Sequence, residues 1–286
     1  MNFDYARAFS RTIGWITRAE QAQLQSKRVA VAGLGGVGGS HVLTLARLGV
    51  QRCHLADMDT FDLVNMNRQA GAFCSTVGQP KLDVISRMAQ DINPDAEIRG
   101  FPEGISETNL EDFLADVDLY IDGLDFFEIG IRRAVFAACR ARGIPAITAA
   151  PLGIGVGLLV FDPKGMSFDE YFQLDGHSYE EQLLRFLIGL APRVLHQTYL
   201  VDPTAVDFKS MRGPSTPMAC ELCAGLAGAT AMKLLLNRGP VLVAPRGLQF
   251  DAYRQRMVKT WRPGGNAHPL QRIVLNLARR KIKAKD

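Results

Sequence analysis

Residues 28–38 read RVAVAGLGGVG, and this stretch decides the fold. Arg28–Gly33 is a short apolar run ending in glycine, the mark of a strand buried on both faces. Gly33-Leu34-Gly35-Gly36-Val37-Gly38 then matches G-x-G-x-x-G. From Val37 to Leu48 apolar residues return near helical spacing. The glycines therefore lie between a strand and a helix, the context that gives the motif a mechanism. Without side chains at Gly35 and Gly36, a phosphate can approach backbone N–H groups, and the helix start adds free donors and a positive dipole end. Asp57 closes the next predicted strand, Gln51–Asp57, roughly 20 residues past the loop, where an acid accepts hydrogen bonds from ribose hydroxyls.

Outward from this stretch, strands and helices alternate. A helix is predicted over Gln79–Ile92 with Pro80 in its first turn, and another over Ile131–Arg142. Strands are predicted at Ala96–Phe101, Val117–Asp122, Ile144–Ala149 and Ile154–Phe161. This βαβ order predicts an α/β, Rossmann-like, doubly wound and mostly parallel sheet. The second half is expected to be less regular and to contain antiparallel strands. Within the irregular residues 162–216 a helix is expected at Tyr179–Gly189. Met218–Leu236, rich in alanine and glycine, should be a long helix packed closely on the sheet. Val241–Ala244 and Leu248–Asp251 are expected to pair. Over Pro269–Lys285 a helix is expected to gather Leu270, Ile273, Val274 and Leu277 on one face, with Arg272, Arg279, Arg280 and Lys281 mostly elsewhere. The expected partition is a single domain over 1–286: a helical arm (1–26), a nucleotide-binding half (27–161), a substrate and dimer half (162–244) and a basic tail (245–286).

The 286 residues are 47% hydrophobic and 22% charged, ample for a core. That composition excludes wholesale disorder, collagen and a disulfide-stapled miniprotein. No run of about 18 uncharged apolar residues is present, so no integral membrane association is expected. The N-terminus lacks an apolar secretory core, and five scattered cysteines suit a reducing compartment, so the expected location is the cytoplasm. A net charge of +4 is too mild to imply nucleic acid by itself.

The glycine loop and Asp57 do not separate NAD from ATP; the residues after them do. Residues 57–69 read DMDTFDLVNMNRQ, residues 78–81 read GQPK and residues 122–125 read DGLD. In a doubly wound sheet the carboxyl ends of the strands converge on one crevice. Arg68, Lys81 and Asp125 are expected to meet there. Two cations and an acid able to hold Mg²⁺ suit a triphosphate, whose charge must be neutralised before its α-phosphorus is attacked. A nicotinamide needs no such set, which turns the reading away from an NAD-dependent oxidoreductase. A non-catalytic nucleotide-binding protein stays as an alternative.

The string GLGGVG…DMDTFDLVNMNRQ…VGQPK…IDGLD resembles the ThiF/MoeB/HesA family, the bacterial relatives of ubiquitin-activating enzymes. The resemblance runs from about Arg7 to Phe161 and resumes over Pro217–Leu236. It implies a Mg·ATP-dependent adenylyltransferase that activates a carboxylate and releases pyrophosphate. The carboxylate would be the C-terminal glycine of a ubiquitin-like or sulfur-carrier protein, or a small-molecule acid. One branch of the family acts on tRNA as a threonylcarbamoyladenosine dehydratase, so tRNA is the alternative partner. By resemblance Gly33, Gly35, Gly36 and Gly38 cradle the nucleotide and Asp57 holds the ribose, with Asp59 beside it. Asn65, Arg68 and Lys81 contact phosphates, Gln69 orients Arg68, and Asp125 binds Mg²⁺. The resemblance also implies that Arg11 reaches the neighbouring subunit's site, which makes the expected unit a homodimer with isologous contacts.

Two departures stand out. Relatives clamp zinc with two C-x-x-C pairs, but only Cys220-Glu221-Leu222-Cys223 is present here, so zinc is not expected. Cys220 and Cys223 are expected to pack at a helix start. Cys220 is also the candidate acyl-accepting nucleophile, with Cys74 in a loop near the phosphates as another. Finally, the family's D-N-x-x-x-R after the magnesium acid reads here Asp125-Phe126 with the arginine displaced to Arg132. The basic cluster Arg279, Arg280, Lys281, Lys283 and Lys285 fits a solvated helix end, with a membrane-surface or RNA contact as the alternatives.

Overall fold

A computed structural model describes residues 2–206 and 213–283, with side chains through Arg280. Lys285 of the basic cluster lies outside the described residues, as do the side chains of Lys281 and Lys283. The strands are β1 (Arg28–Ala32), β2 (Arg52–Ala56), β3 (Glu97–Phe101), β4 (Leu119–Asp122), β5 (Ala146–Pro151), β6 (Gly155–Phe161), β7 (Arg246–Asp251) and β8 (Arg256–Trp261). The helices are α1 (Tyr5–Ala8), α2 (Arg18–Ser26), α3 (Gly38–Arg47), α4 (Lys81–Ile92), α5 (Leu110–Phe113), α6 (Ile129–Ala141), α7 (Phe168–Phe172), α8 (Tyr179–Leu190), α9 (Pro217–Leu235) and α10 (Pro269–Lys283).

Among the described residues the strands form one sheet in the order β3-β2-β1-β4-β5-β6-β7-β8. β3 through β5 in that order are parallel, and β6, β7 and β8 each join antiparallel. The expected mostly parallel, doubly wound sheet with an antiparallel second half is therefore present. Strand order reverses between β1 and β4, so their carboxyl ends open a crevice.

Alternation along each strand splits the interior into two cores. Val29, Val31, Leu119, Ile121, Ile147 and Val160 point to one side, against α3, α4 and α9. Ala30, Ala32, Tyr120, Ala146, Leu159 and Phe161 point to the other, which is rich in aromatic rings. There Phe136, Phe161, Phe168, Phe172 and Phe186 stack edge-on or tilted at centroid distances of 4.5–6.1 Å. The segment expected to be irregular thus contributes Phe168, Tyr171, Phe172 and Phe186 to a core layer. As expected, α9 packs against β5, β6 and α3, and it buries Cys220 and Cys223. It is the one described helix long and apolar enough to cross a bilayer, and half of it is buried in the core.

Three expectations are corrected. Pro80 caps α4 from outside with extended backbone instead of occupying its first turn. Val241–Ala244 is not a strand: Pro240 and Pro245 bracket it and cannot donate to a ladder. Its Ala244 N–H donates to the Val160 carbonyl, and the partner of β7 is β8, a charged edge strand. On α10, Leu270, Ile273 and Leu277 share one face as expected, which meets solvent, but Val274 leaves them for the packed face of Gln271 and Leu275.

Candidate active site

The crevice is built from three chain segments that leave the carboxyl ends of β1, β2 and β4. Following β1, the glycine loop turns at Gly33, whose φ of +81° favours glycine. A Cβ on Gly33 would lie 2.2 Å from the Gly123 carbonyl oxygen, and one on Gly38 would lie 1.7 Å from the Gly33 carbonyl oxygen. These two glycines let the loops after β1 and β4 touch. Gly35 and Gly36 are different. A Cβ on Gly35 would meet only the Gln69 side chain, at 3.6 Å, and one on Gly36 would meet Cys220 Sγ at 3.2 Å and Arg68 Cδ at 3.7 Å. The loop's second and third glycines therefore lie against Gln69, Arg68 and Cys220, as a cradle that side chains would narrow.

Asp57 follows β2 and is buried. Its Oδ2 accepts from the Leu34 N–H at 2.6 Å and its Oδ1 from the Asp59 N–H at 2.8 Å. Burial pushes its carboxyl pKa up, against the pull of those hydrogen bonds and of Lys81. Lys81 opens α4, is buried, and donates Nζ–H to Asp59 Oδ2 at 2.8 Å. Asp59 itself stays exposed, so this pair is wet on one side.

Between them runs the 3₁₀ turn Leu63–Asn65. Asn65 is buried and turned back on this turn, its Oδ1 accepting from the Asp62 N–H at 2.9 Å. Arg68 donates to the Val64 carbonyl and to Asn67 Oδ1. Gln69 is buried, and its Oε1 has no hydrogen-bond partner among the described residues. The Gln69 atom nearest the cradle is the amide nitrogen Nε2, a donor, 3.6 Å from where a Cβ on Gly35 would stand.

Asp125 lies exposed on the loop after β4, one oxygen accepting from the Phe127 N–H at 3.0 Å. The loop is held from beneath by Arg132. This arginine is 2% exposed; its Nε donates to Asp122 Oδ2 at 2.9 Å, and one terminal nitrogen donates to the carbonyls of Leu124 (2.7 Å) and Asp125 (2.8 Å). Its guanidinium also stacks 4.7 Å from the Phe186 ring centroid. The displaced arginine of the motif thus fixes the loop that presents Asp125. Sequence reasoning missed this role, although a signal was present. Arg132 falls on the apolar stripe Ile129, Arg132, Phe136, Cys139 of α6, where a charge needs a buried partner.

The remaining candidates lie as follows. Arg11 is exposed on the 3₁₀ turn Ser10–Thr12. Cys74 is exposed, whereas Cys220 and Cys223 are fully buried. Burial pushes the Cys220 thiol pKa up, partly offset by Ser215 and the Arg68 charge, and pushes Cys223 further up. Among the described residues no group of three or more His, Cys, Asp or Glu is gathered for a metal. Magnesium needs only one or two protein carboxylates when phosphates and water complete its octahedron. Asp125, exposed and half engaged, fits that demand.

The model of the ThiF family matches residues 9–272. The chain belongs to the ThiF family. It is 38% identical over 142 residues to the tRNA threonylcarbamoyladenosine dehydratase of Bacillus subtilis (strain 168), covering 49% of this chain and 55% of that one. It is 33% identical over 143 residues to the sulfur carrier protein ThiS adenylyltransferase of Escherichia coli (strain K12), covering 50% and 56%. The matched region spans about half the length of these curated relatives. Among solved structures, E. coli MccB with ATP superposes with a TM-score of 0.66 at 18% identity, covering 88% of this ThiF-family chain and 69% of MccB. E. coli TcdA, a tRNA N6-threonylcarbamoyladenosine dehydratase, gives 0.59 at 19%, covering 81% and 95%. At these identities the superpositions speak for the fold, which they share.

Proposed function

We propose that this ThiF-family chain adenylates a carboxylate with Mg·ATP and releases pyrophosphate, working in the cytoplasm as a homodimer. The observation that carries this reading is the glycine cradle at Gly35 and Gly36, lined by Gln69 Nε2 and Arg68 and bordered by Asp57 and Lys81. ATP with Mg²⁺ supplies the electrophilic α-phosphorus and the pyrophosphate leaving group. Asp57 holds the ribose while its own oxygens brace the glycine loop. Asn65, Arg68 and Lys81 neutralise phosphate charge, and Lys81 can turn from the half-exposed Asp59 toward an anion. Asp125 holds Mg²⁺ at a place fixed by Arg132. The substrate carboxylate is already ionised at neutral pH, so the residues need only position it and balance charge.

A second subunit is supported by the surface around Arg68. Met58, Leu63, Val64 and Phe73 are all exposed beside the crevice. In the dimer Arg11 of one protomer completes the triphosphate site of the other. Mixing Arg11→Ala with Asp125→Ala protein should then restore part of the activity, and a residue acting in its own subunit would restore none. Acyl transfer to Cys220 would require the start of α9 to open, since the thiol is buried.

The acyl substrate is proposed to be the C-terminal glycine of a carrier protein or a small acid; the E. coli relative is named for a sulfur carrier protein. The 38% identity to the B. subtilis dehydratase favours a second reading, in which the carboxylate is a threonylcarbamoyl group on tRNA. The test is exchange of labelled pyrophosphate into ATP with each candidate acid. Exchange stimulated by one acid class and abolished by Arg68→Ala, Lys81→Ala and Asp125→Ala supports the proposal. Exchange untouched by Asp125→Ala removes the metal assignment.

A further inference from the structure

Between Ala252 and Lys285 the chain carries ten lysines and arginines and no aspartate or glutamate, although the whole chain is only +4. α10 holds five of these ten, and four of the five lie beyond the family match, which ends at 272. One face of α10 packs on α8: Leu275 joins Leu184 and Ile188, Gln271 Nε2 donates to the Ile188 carbonyl at 2.6 Å, and Arg279 pairs with Glu181. The opposite face carries Leu270, Ile273 and Leu277, exposed by 53%, 56% and 54% and spaced three and four residues apart. Arg272 and Arg280 are exposed on the same helix. Three aliphatic side chains in water are a loss unless something covers them.

We propose that the outer face of α10 docks the protein on a membrane surface rich in anionic lipid. An aliphatic stripe set among cations suits the boundary between headgroups and acyl chains, where both kinds of group gain. A nucleic acid would use the cations but not the leucines, and α10 offers no aromatic ring for a base to stack on. A second copy would bring one acid-free basic helix against another, which charge repulsion opposes. Among acids facing α10, Glu181 is already engaged by Arg279 and Arg185 and does not cancel the remaining charge.

The test is co-sedimentation of the full chain with vesicles of phosphatidylcholine alone or mixed equally with phosphatidylglycerol. The expected result is pelleting with the mixed vesicles only, weakened by raising salt to about 0.5 M. The triple variant Leu270→Gln, Ile273→Gln, Leu277→Gln should keep the wild-type unfolding temperature and lose about tenfold in vesicle affinity. No pelleting with mixed vesicles, or pelleting unchanged by the triple variant, overturns the proposal. So does single-stranded RNA bound equally by both proteins without vesicle binding, which would make the tail a nucleic-acid surface. Wild-type self-association that the triple variant abolishes, again without vesicle binding, would assign the stripe to a second copy and likewise overturn it.

Discussion

Two ion pairs frame the crevice, and they differ in depth. At the β4–α6 junction Arg132 and Asp122 leave only 2% and 3% of their side chains exposed. At the β2–α4 junction Lys81 is 8% exposed but its partner Asp59 is 63% exposed. A fully buried pair with its hydrogen bonds satisfied is fixed, because separating it strands a charge in a low-dielectric interior. A pair with one member in water can exchange partners at little cost. The difference assigns the two cations different work: Arg132 shapes the Asp125 loop, and Lys81 is free to meet a phosphate.

The largest expected effect breaks the deep pair. Arg132→Met should lower unfolding free energy by about 3–5 kcal/mol in a urea titration, because Asp122 is left uncompensated. The double variant Arg132→Met, Asp122→Leu should recover much of that loss. Equal losses for single and double variants would mean that the pair is not coupled.

Next comes a buried polar group with no partner among the described residues. His41, on the helix that follows the glycine loop, is 1% exposed, and neither ring nitrogen has a hydrogen-bond partner among the described residues. Burial lowers its pKa to about 4. The folded state therefore prefers the neutral ring, while the unfolded chain takes up a proton near the ordinary value. Stability attached to this residue is intact above about pH 6.5 and falls as pH drops toward 4, by on the order of 2–3 kcal/mol. His41→Leu should show a shallower loss over that window in parallel unfolding curves; identical slopes would remove His41 as the cause.

The smallest effect concerns the wet pair. Asp59→Asn keeps an acceptor for Lys81 and should cost about 1 kcal/mol or less in stability. Its effect on pyrophosphate exchange should be far smaller than that of Lys81→Ala. A destabilisation as large as that of Arg132→Met would erase the distinction between the two junctions.

The same contrast explains what could be read from the sequence. The parallel half was legible because its signals are local. RVAVAG followed by glycines, Asp57 at a strand end and GQPK before a helix each carry their meaning within a few residues. Arg132 was not legible as a positioning group, because its partners Asp122 and Phe186 come from a strand and a distant helix. The aromatic layer from Phe168 to Phe186 was hidden for the same reason: its rings meet Phe136 of α6 and Phe161 of β6 only once the chain is folded. The strand β8 escaped notice because a charged edge strand, with Arg256 and Lys259 exposed, lacks the apolar run that marks a central one. On α10 the periodicity named the stripe of Leu270, Ile273 and Leu277 but not that it faces solvent, since spacing names a stripe and not which stripe meets the core.

The account rests on the glycine cradle being open for a nucleotide, and Gly35 tests that most directly. Among the described residues a Cβ there meets nothing closer than 3.6 Å, so Gly35→Ala should unfold within about 0.5 kcal/mol of wild type. Calorimetric titration with Mg·ATP should nevertheless show affinity reduced by about tenfold or more, because the methyl group occupies the phosphate's approach to the backbone. Wild-type affinity in a Gly35→Ala protein of unchanged stability would contradict the account.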